Sequence, residues 1–272
     1  MKNRALAIPH IVWALIFIAV PLCFVLYFAF TDDAGGFTLE WFLQIGKFWG
    51  VFARSLKLAF IATVICLVVG YPMAFIISRM KWITQRTLIM LIMLPMWMNF
   101  LLRTYAWMTL LEKNGIINNI LETIGIFEFL GVTELKLINT EGAVVIGMVY
   151  NFLPFMILPL YNIMVKIDNS LIEASRDLGC NMAGVFRRVL LPLSLPGIAN
   201  GVTMVFVPAA STFVISQKLG GAKNMLIGDL IDTYFMGGEP NFHIGSVLSL
   251  VLMLIILICM AFMNKEQEEV II

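Results

Sequence analysis

Six stretches of about twenty consecutive apolar residues constrain this chain more than any other feature it has. The hydrocarbon core of a bilayer is about 30 Å thick and an α-helix rises about 1.5 Å per residue, so a helix of about 20 apolar residues crosses it. Inside lipid each backbone N–H and C=O must find its partner within the protein, which leaves the helix as the natural form for such runs. The stretches fall at about residues 5–30, 55–78, 87–111, 142–165, 193–216 and 244–263. They predict an all-α membrane protein of six transmembrane helices, organised as a single domain over residues 1–272. With 61% of its residues hydrophobic and 13% charged, the chain does not read as a soluble domain.

Basic residues set the expected orientation. The start, Met1-Lys2-Asn3-Arg4, resembles a signal peptide, but the apolar run behind it is too long and no A-x-A pattern follows. It reads as an uncleaved first span. With the N-terminus inside, ten Lys and Arg (2, 4, 79, 81, 86, 166, 176, 187, 188 and 265) face six outside (47, 54, 113, 136, 218 and 223). The short turn holding Arg79, Lys81 and Arg86 carries no acid and is the strongest vote. Both termini and residues 166–192 are therefore expected in the cytoplasm. The acidic tail residues Glu266, Glu268 and Glu269 do not oppose this, because acids weigh little in the rule.

Several function classes drop out. A net charge of +1 gives no basic field for nucleic acid. The glycine pairs at 35–36, 220–221 and 237–238 lack the Lys-Ser/Thr that completes a phosphate-binding loop. Neither a nucleophile–base pair nor a metal-ligand spacing occurs, and the four cysteines read as small apolar fillers. No catalytic residue, metal or cofactor is expected on this chain.

The longest polar interruption in the second half, residues 169–198, reads as helix, turn, helix. Ser170 and Glu173 have the spacing of a capping box, Gly179 suits a helix C-terminus that needs positive φ, and Asn181 suits an N-cap. Pro192 is expected to stop the second helix after Leu191. Glu173, Ala174 and Ser175 precede Gly179 by three residues, and nine more lead to Val189, Leu190, Leu191 and Pro192. This resembles the E-A-A-x3-G-x9-I-x-L-P cytoplasmic loop of ATP-driven (ABC) importer permeases, with Ser175 and Val189 as mild departures.

The resemblance implies a type I importer permease fold in which that elbow couples to a separate ATP-binding subunit dimer holding ATP–Mg. Glu173, Ala174, Ser175, Gly179, Val189, Leu191 and Pro192 are the coupling residues it implies. Three further stretches, LPMWMNFLLRTYAWMTLLEKNGIIN, VVIGMVYNFLPFMILPLY and LGGAKNMLIGDLI, resemble the spermidine/putrescine permeases of that class. That likeness implies a polyamine cargo, a second related permease and an extracytoplasmic binding protein.

Aromatic rings at Trp97, Tyr105, Trp107 and Tyr150 can face ammonium groups, and Asn99 lies among them. Asp229 and Asp232, three apart, share a helical face if their loop is helical and would meet a cation at the outer mouth. Arg103 opposes a cationic path; it reads either as a brace that bonds carbonyls or a carboxylate, or as an anion ligand. An oxyanion or iron-complex cargo, and a channel or carrier working without ATP, remain alternatives at this stage. Prolines at 21, 72, 95, 154, 159 and 208 bend the spans.

Overall fold

Apolar runs become helices here with one exception, and that exception shapes the molecule. The computed structural model describes residues 4–125 and 136–271, with side-chain surroundings given over 9–125 and 136–261. Lys2 lies outside the described residues, as do the side chains of Arg4, Lys265, Glu266, Glu268 and Glu269.

Helix α1 covers residues 4–30 and includes one widened π turn, Leu15–Ala19. A short helical ramp over 40–48 leads into α2, Trp49–Ser78, which begins about six residues before its apolar run. After a tight turn come α3, Trp82–Met93, and α4, Phe100–Leu111, followed by α5, Ile116–Thr123. Helix α6 is Glu141–Met164 and α7 is Asn169–Asp177. Helix α8 runs unbroken over Met182–Ser211, α9 is Ile227–Met236, and α10 is Phe242–Ile271. Among the described residues five helices are long and apolar enough to cross a membrane, or six if α3 and α4 together make one broken span.

The expected third span, 87–111, is not one helix. It bends by 90° between Trp97 and Phe100. Pro95 has no N–H to offer the carbonyl four residues back, and the chain tightens into a 3-10 turn at Leu94–Trp97 before Met98 extends at ψ 151°. Asn99 then starts a new helix, its side chain accepting from the N–H groups of Leu101 (2.9 Å) and Leu102 (3.3 Å). Pro72, Pro154 and Pro159 sit inside continuous helices. Those helices continue through their prolines, whereas Pro95, followed by the Asn99 cap, ends its helix.

Two other expectations are corrected. Pro192 does not end the elbow's second helix, because the ladder widens just before it. Leu191 N–H reaches five residues back to the Phe186 carbonyl, and the helix continues through the proline into the fifth span. That span ends at Ser211 rather than 216, and a second short helix follows over 214–220.

The core is a three-helix contact of α2, α6 and α8. Leu58, Ala62 and Cys66 of α2 meet Val144, Met148 and Ile157 of α6, with Val205 and Ala209 of α8 closing the third side. Met156 fills the crossing: a Cβ on Gly201 would lie 2.6 Å from its sulfur, and one on Gly70 would lie 3.1 Å from its Cγ. Helix α1 rests on α10 only near its end, through Val25, Ala29 and Phe30 against Val247 and Leu250. Farther back, Ile11, Trp13 and Phe17 are more than half exposed, as suits residues meeting lipid.

Candidate functional site

The elbow is ordered by local chemistry. Asp168, not Ser170, is the N-cap of α7: its Oδ1 accepts from Ser170 N–H at 3.0 Å, so the capping box at Ser170 and Glu173 does not form. A carboxylate two residues earlier wins that competition, since charge also favours the helix N-terminus. Bonds from Ser170, and the charge of Arg79, hold the Asp168 carboxyl below its ordinary pKa. At the other end Gly179 takes φ +84°. Gly179 N–H donates to the Arg176 carbonyl (2.8 Å) and Cys180 N–H to that of Ser175 (3.1 Å), the two bonds of a Schellman turn. Asn181 then caps the next helix, its Oδ1 accepting from Gly184 N–H at 2.8 Å.

This turn presents an apolar knob. Leu178 is 87% exposed, and Leu171, Met182 and Phe186 stand out beside it, with Glu173, Ala174, Arg187 and Arg188 also exposed. Ser175 faces the other way. It is buried in its own chain. Beneath the knob Ile167, Val185 and Leu190 form a small core with Phe75, Ile172 and Val189. Leu191 is half-buried and Pro192 exposed.

The broken third span makes a second site. Its first half closes with Met98 N–H to the Pro95 carbonyl (3.2 Å), and its second opens with Arg103 N–H to that of Asn99 (3.2 Å). The extended residues between them carry the ladder no further, and among the described residues no backbone N–H from beyond the 3-10 turn reaches the carbonyls of Met96, Trp97 and Met98. Irregular backbone at membrane depth is tolerated only inside protein or along a wet cavity. Yet this break is open in the single chain, with Trp97 78% exposed.

Helix α4 divides into two stripes. Leu101, Leu102 and Tyr105 continue the exposed side, whereas Arg103, Thr104 and Leu111 are buried, with Trp107 and Met108 half-buried on the same face. Trp107 packs edge-on against Tyr150, ring centroids 5.2 Å apart. Tyr105 is already engaged, since the Lys218 ammonium lies 5.2 Å from its ring centroid. Nothing in the sequence pairs those two; the 214–220 helix brings Lys218 there. Arg103 sits over the Phe100 ring at 5.8 Å, and its buried Nε and Nη1 find no partner among the described residues. Among the described residues those two nitrogens meet neither the carbonyl nor the carboxylate expected of a brace.

The two aspartates do not sit together at an open mouth. Helix α9 is helical as the spacing required, but Asp229 is fully buried at its start. One oxygen accepts from Leu226 N–H at 2.6 Å and the other lies 3.0 Å from the Ser216 hydroxyl. Burial pushes this carboxyl up to about 6, against the pull of those two bonds. Asp232 accepts from Gln217 and borders an apolar crevice of about 630 Å³ between α8, α9 and α10. Among the described residues no three His, Cys, Asp or Glu are gathered in a way that would hold a metal.

No protein-family model matches the chain. Individual relatives do. It is 40% identical over 246 residues to the spermidine/putrescine transport system permease protein PotB of Haemophilus influenzae, covering 88% of this chain and 84% of that one. The protein of the same name in Escherichia coli is 36% identical over 232 residues, 82% of this chain and 83% of that one. The E. coli inner membrane ABC transporter permease protein YdcU is 29% identical, covering 80% and 71%. Among solved structures, a bacterial ABC transporter involved in the import of the acidic polysaccharide alginate superposes with a TM-score of 0.74 at 17% identity, over 97% of this chain and 94% of that one. The MetNI methionine ABC transporter gives 0.55 at 17% identity, over 81% and 94%. At those identities the likeness is one of fold.

Proposed function

The chain belongs to the PotB family of spermidine/putrescine transport permeases, and on that premise we propose that it is one of two related membrane subunits of an ATP-driven polyamine importer in the bacterial inner membrane. The elbow end faces the cytoplasm with both termini, and an ATP-binding subunit dimer docks on residues 169–192. ATP–Mg is held and hydrolysed on that dimer; this chain binds no cofactor and catalyses no reaction. An extracytoplasmic binding protein delivers cargo at the opposite face.

The observation that carries the reading is the elbow's exposed knob, an apolar side chain 87% exposed at Leu178 on a fully hydrogen-bonded turn. A surface of that kind suits a partner's groove. Glu173 and Ala174 flank it, Gly179 sets the turn, and Val189, Leu191 and Pro192 join it to the fifth span. Ser175 belongs to the support beneath.

The broken span supports a cationic path. Carbonyls without helical donors and an exposed indole at Trp97 together suit an alkylammonium group. Asn99 contributes by holding the break open, and Tyr105 by a ring face that already accepts an ammonium, that of Lys218. Trp107 and Tyr150 back this stripe. Asp229 acts as a structural cap, while Asp232 keeps an exposed contact with Gln217. One observation favours an anionic cargo instead, the unpartnered nitrogens of Arg103, but that side chain lies over the Phe100 ring on the buried stripe of α4, opposite the exposed side that carries Tyr105.

The test is uptake into vesicles carrying the assembled complex. Spermidine or putrescine should be taken up only with ATP inside the ATPase compartment, and unlabelled spermidine should compete where sulfate does not. Competition by sulfate would favour the anion reading, and uptake without ATP would favour a channel or carrier.

A further inference from the structure

Arg79 closes the turn after α2 and reaches across to the hinge between α6 and the elbow. Its Nη1 donates to the Ile167 carbonyl (2.9 Å) and to Asn169 Oδ1 (2.5 Å), and its Nη2 leans on the Met164 carbonyl (3.4 Å). The guanidinium also lies over the Phe75 ring at 5.5 Å. Met164 is the last residue of α6 and Asn169 the first of α7, so one planar group holds both sides of the hinge. The acceptors match the charge. The end of α6 presents carbonyls at the negative pole of its dipole, and the Asp168 carboxylate that caps α7 adds to the attraction.

A second tie lies about two helical turns back along α2. Tyr71 Oη is 2.9 Å from Ser194 Oγ, whose own proton has the Leu191 carbonyl to bond, and the Tyr71 ring meets Phe186 edge-on at 5.3 Å. Helix α2 is thus fixed to both limbs of the elbow, and it packs along α6 and α8 through the core. A packed core moves between discrete arrangements and does not deform smoothly, so a shift of α7 must pass to α2 through these ties or break them.

We propose that Arg79 is the positioning residue that transmits movement of the elbow helix to α2, coupling ATP hydrolysis on the partner to movement of cargo. The inference rests on the importer reading above and adds to it a residue outside the elbow. Lysine offers a point charge without the fork that spans two acceptors, and so replaces Arg79 only in part.

The test uses the complete complex in vesicles and reads polyamine transported per ATP hydrolysed. Arg79→Gln should leave the complex assembled and its ATPase at half of wild type or better, while uptake falls at least tenfold; Arg79→Lys should be intermediate. Should Arg79→Gln fail to assemble, Asn169→Ala decides. It removes only the acceptor on α7, and must also lower the ratio. Uptake and hydrolysis that fall in parallel in an intact complex, or a wild-type ratio in both variants, would overturn the proposal. A wild-type complex without ATP-driven uptake would overturn the importer reading itself, whereas a coupled wild type with coupled variants overturns the role of Arg79 alone.

Discussion

Asp229 competes for one hydrogen too few. The Ser216 hydroxyl lies 3.0 Å from its carboxylate and 2.9 Å from the Phe213 carbonyl, and has a single proton to give. Protonating Asp229 resolves the shortage, because the carboxyl then donates to Ser216 and Ser216 to Phe213. The folded-state value of about 6 lies above the ordinary 3.8, so the folded state binds this proton more tightly than the unfolded one. Stability from this group therefore rises as pH falls from about 6 toward 3.8, by up to about 3 kcal/mol. Thermal unfolding in detergent should show part of that gain, about 1 kcal/mol, between pH 7 and pH 5, and Asp229→Asn should flatten it without lowering stability at pH 7. Identical pH profiles for the two proteins would remove the carboxyl from the account.

Gly179 separates strain from docking at the same scale. A Cβ there meets nothing within 4 Å, so only its φ of +84° resists substitution. Gly179→Ala should cost about 1 kcal/mol and keep transport, whereas Gly179→Trp adds bulk on the exposed knob and should abolish ATP-driven uptake. Equal uptake by the two variants would argue against docking at this turn. Gly179 and Asn181 are readable in the sequence because their bonds close within five residues. The contest between Asp168 and Ser170 is local too, yet two good caps lie two residues apart and composition does not rank them. Arg103 and Lys218 are different: what they face is set by other elements.

At the scale of elements the third span is the instructive case. Its composition satisfies every rule for a single crossing helix, and the break comes from two residues acting together. Asn99→Ala alone should cost the α4 cap, about 1 kcal/mol. Pro95→Ala with Asn99→Ala returns the missing donor and removes the competing start. That double variant should straighten the span, withdraw the carbonyls of Met96–Met98 from the path, and cut uptake at least tenfold in an assembled complex. Thiol labelling of a cysteine placed at Met98 reports the change, and unaltered labelling with unaltered uptake would show that the break is not needed. Pro192 teaches the converse. It has the look of a stop, and a widened turn of five residues, Phe186–Leu190, carries the helix past it. The elbow's second limb is thus the start of the fifth span itself, and a push on the knob acts on a rod of 30 residues.

For the whole molecule, orientation is the property that the proposed function needs most. In a variant lacking Cys23, Cys66, Cys180 and Cys259, a cysteine at Lys223 should react with an impermeant thiol reagent in intact cells, and one at Lys81 only after permeabilisation. The reverse pattern would place the elbow outside and end the docking argument. Cargo is a separate matter from architecture. The same fold appears in a transporter for an acidic polysaccharide, so the shape of the bundle cannot select a polyamine. On the proposed function, selection comes from the groups that line the break and the stripe beyond it.

By itself the sequence determined the fold class and where the apolar runs and the elbow fall along the chain. Each depends on lengths of apolar chain, on charge at their ends or on bonds between residues a few positions apart. The tertiary structure decided which side chains look inward. It buried Ser175, Asp229 and Arg103, seated Lys218 on Tyr105, and fastened Arg79 to a hinge some 90 residues away. Helices form on local rules, whereas their rotation about one another follows from packing Met156 between Gly70 and Gly201, and no stretch of sequence contains that contact.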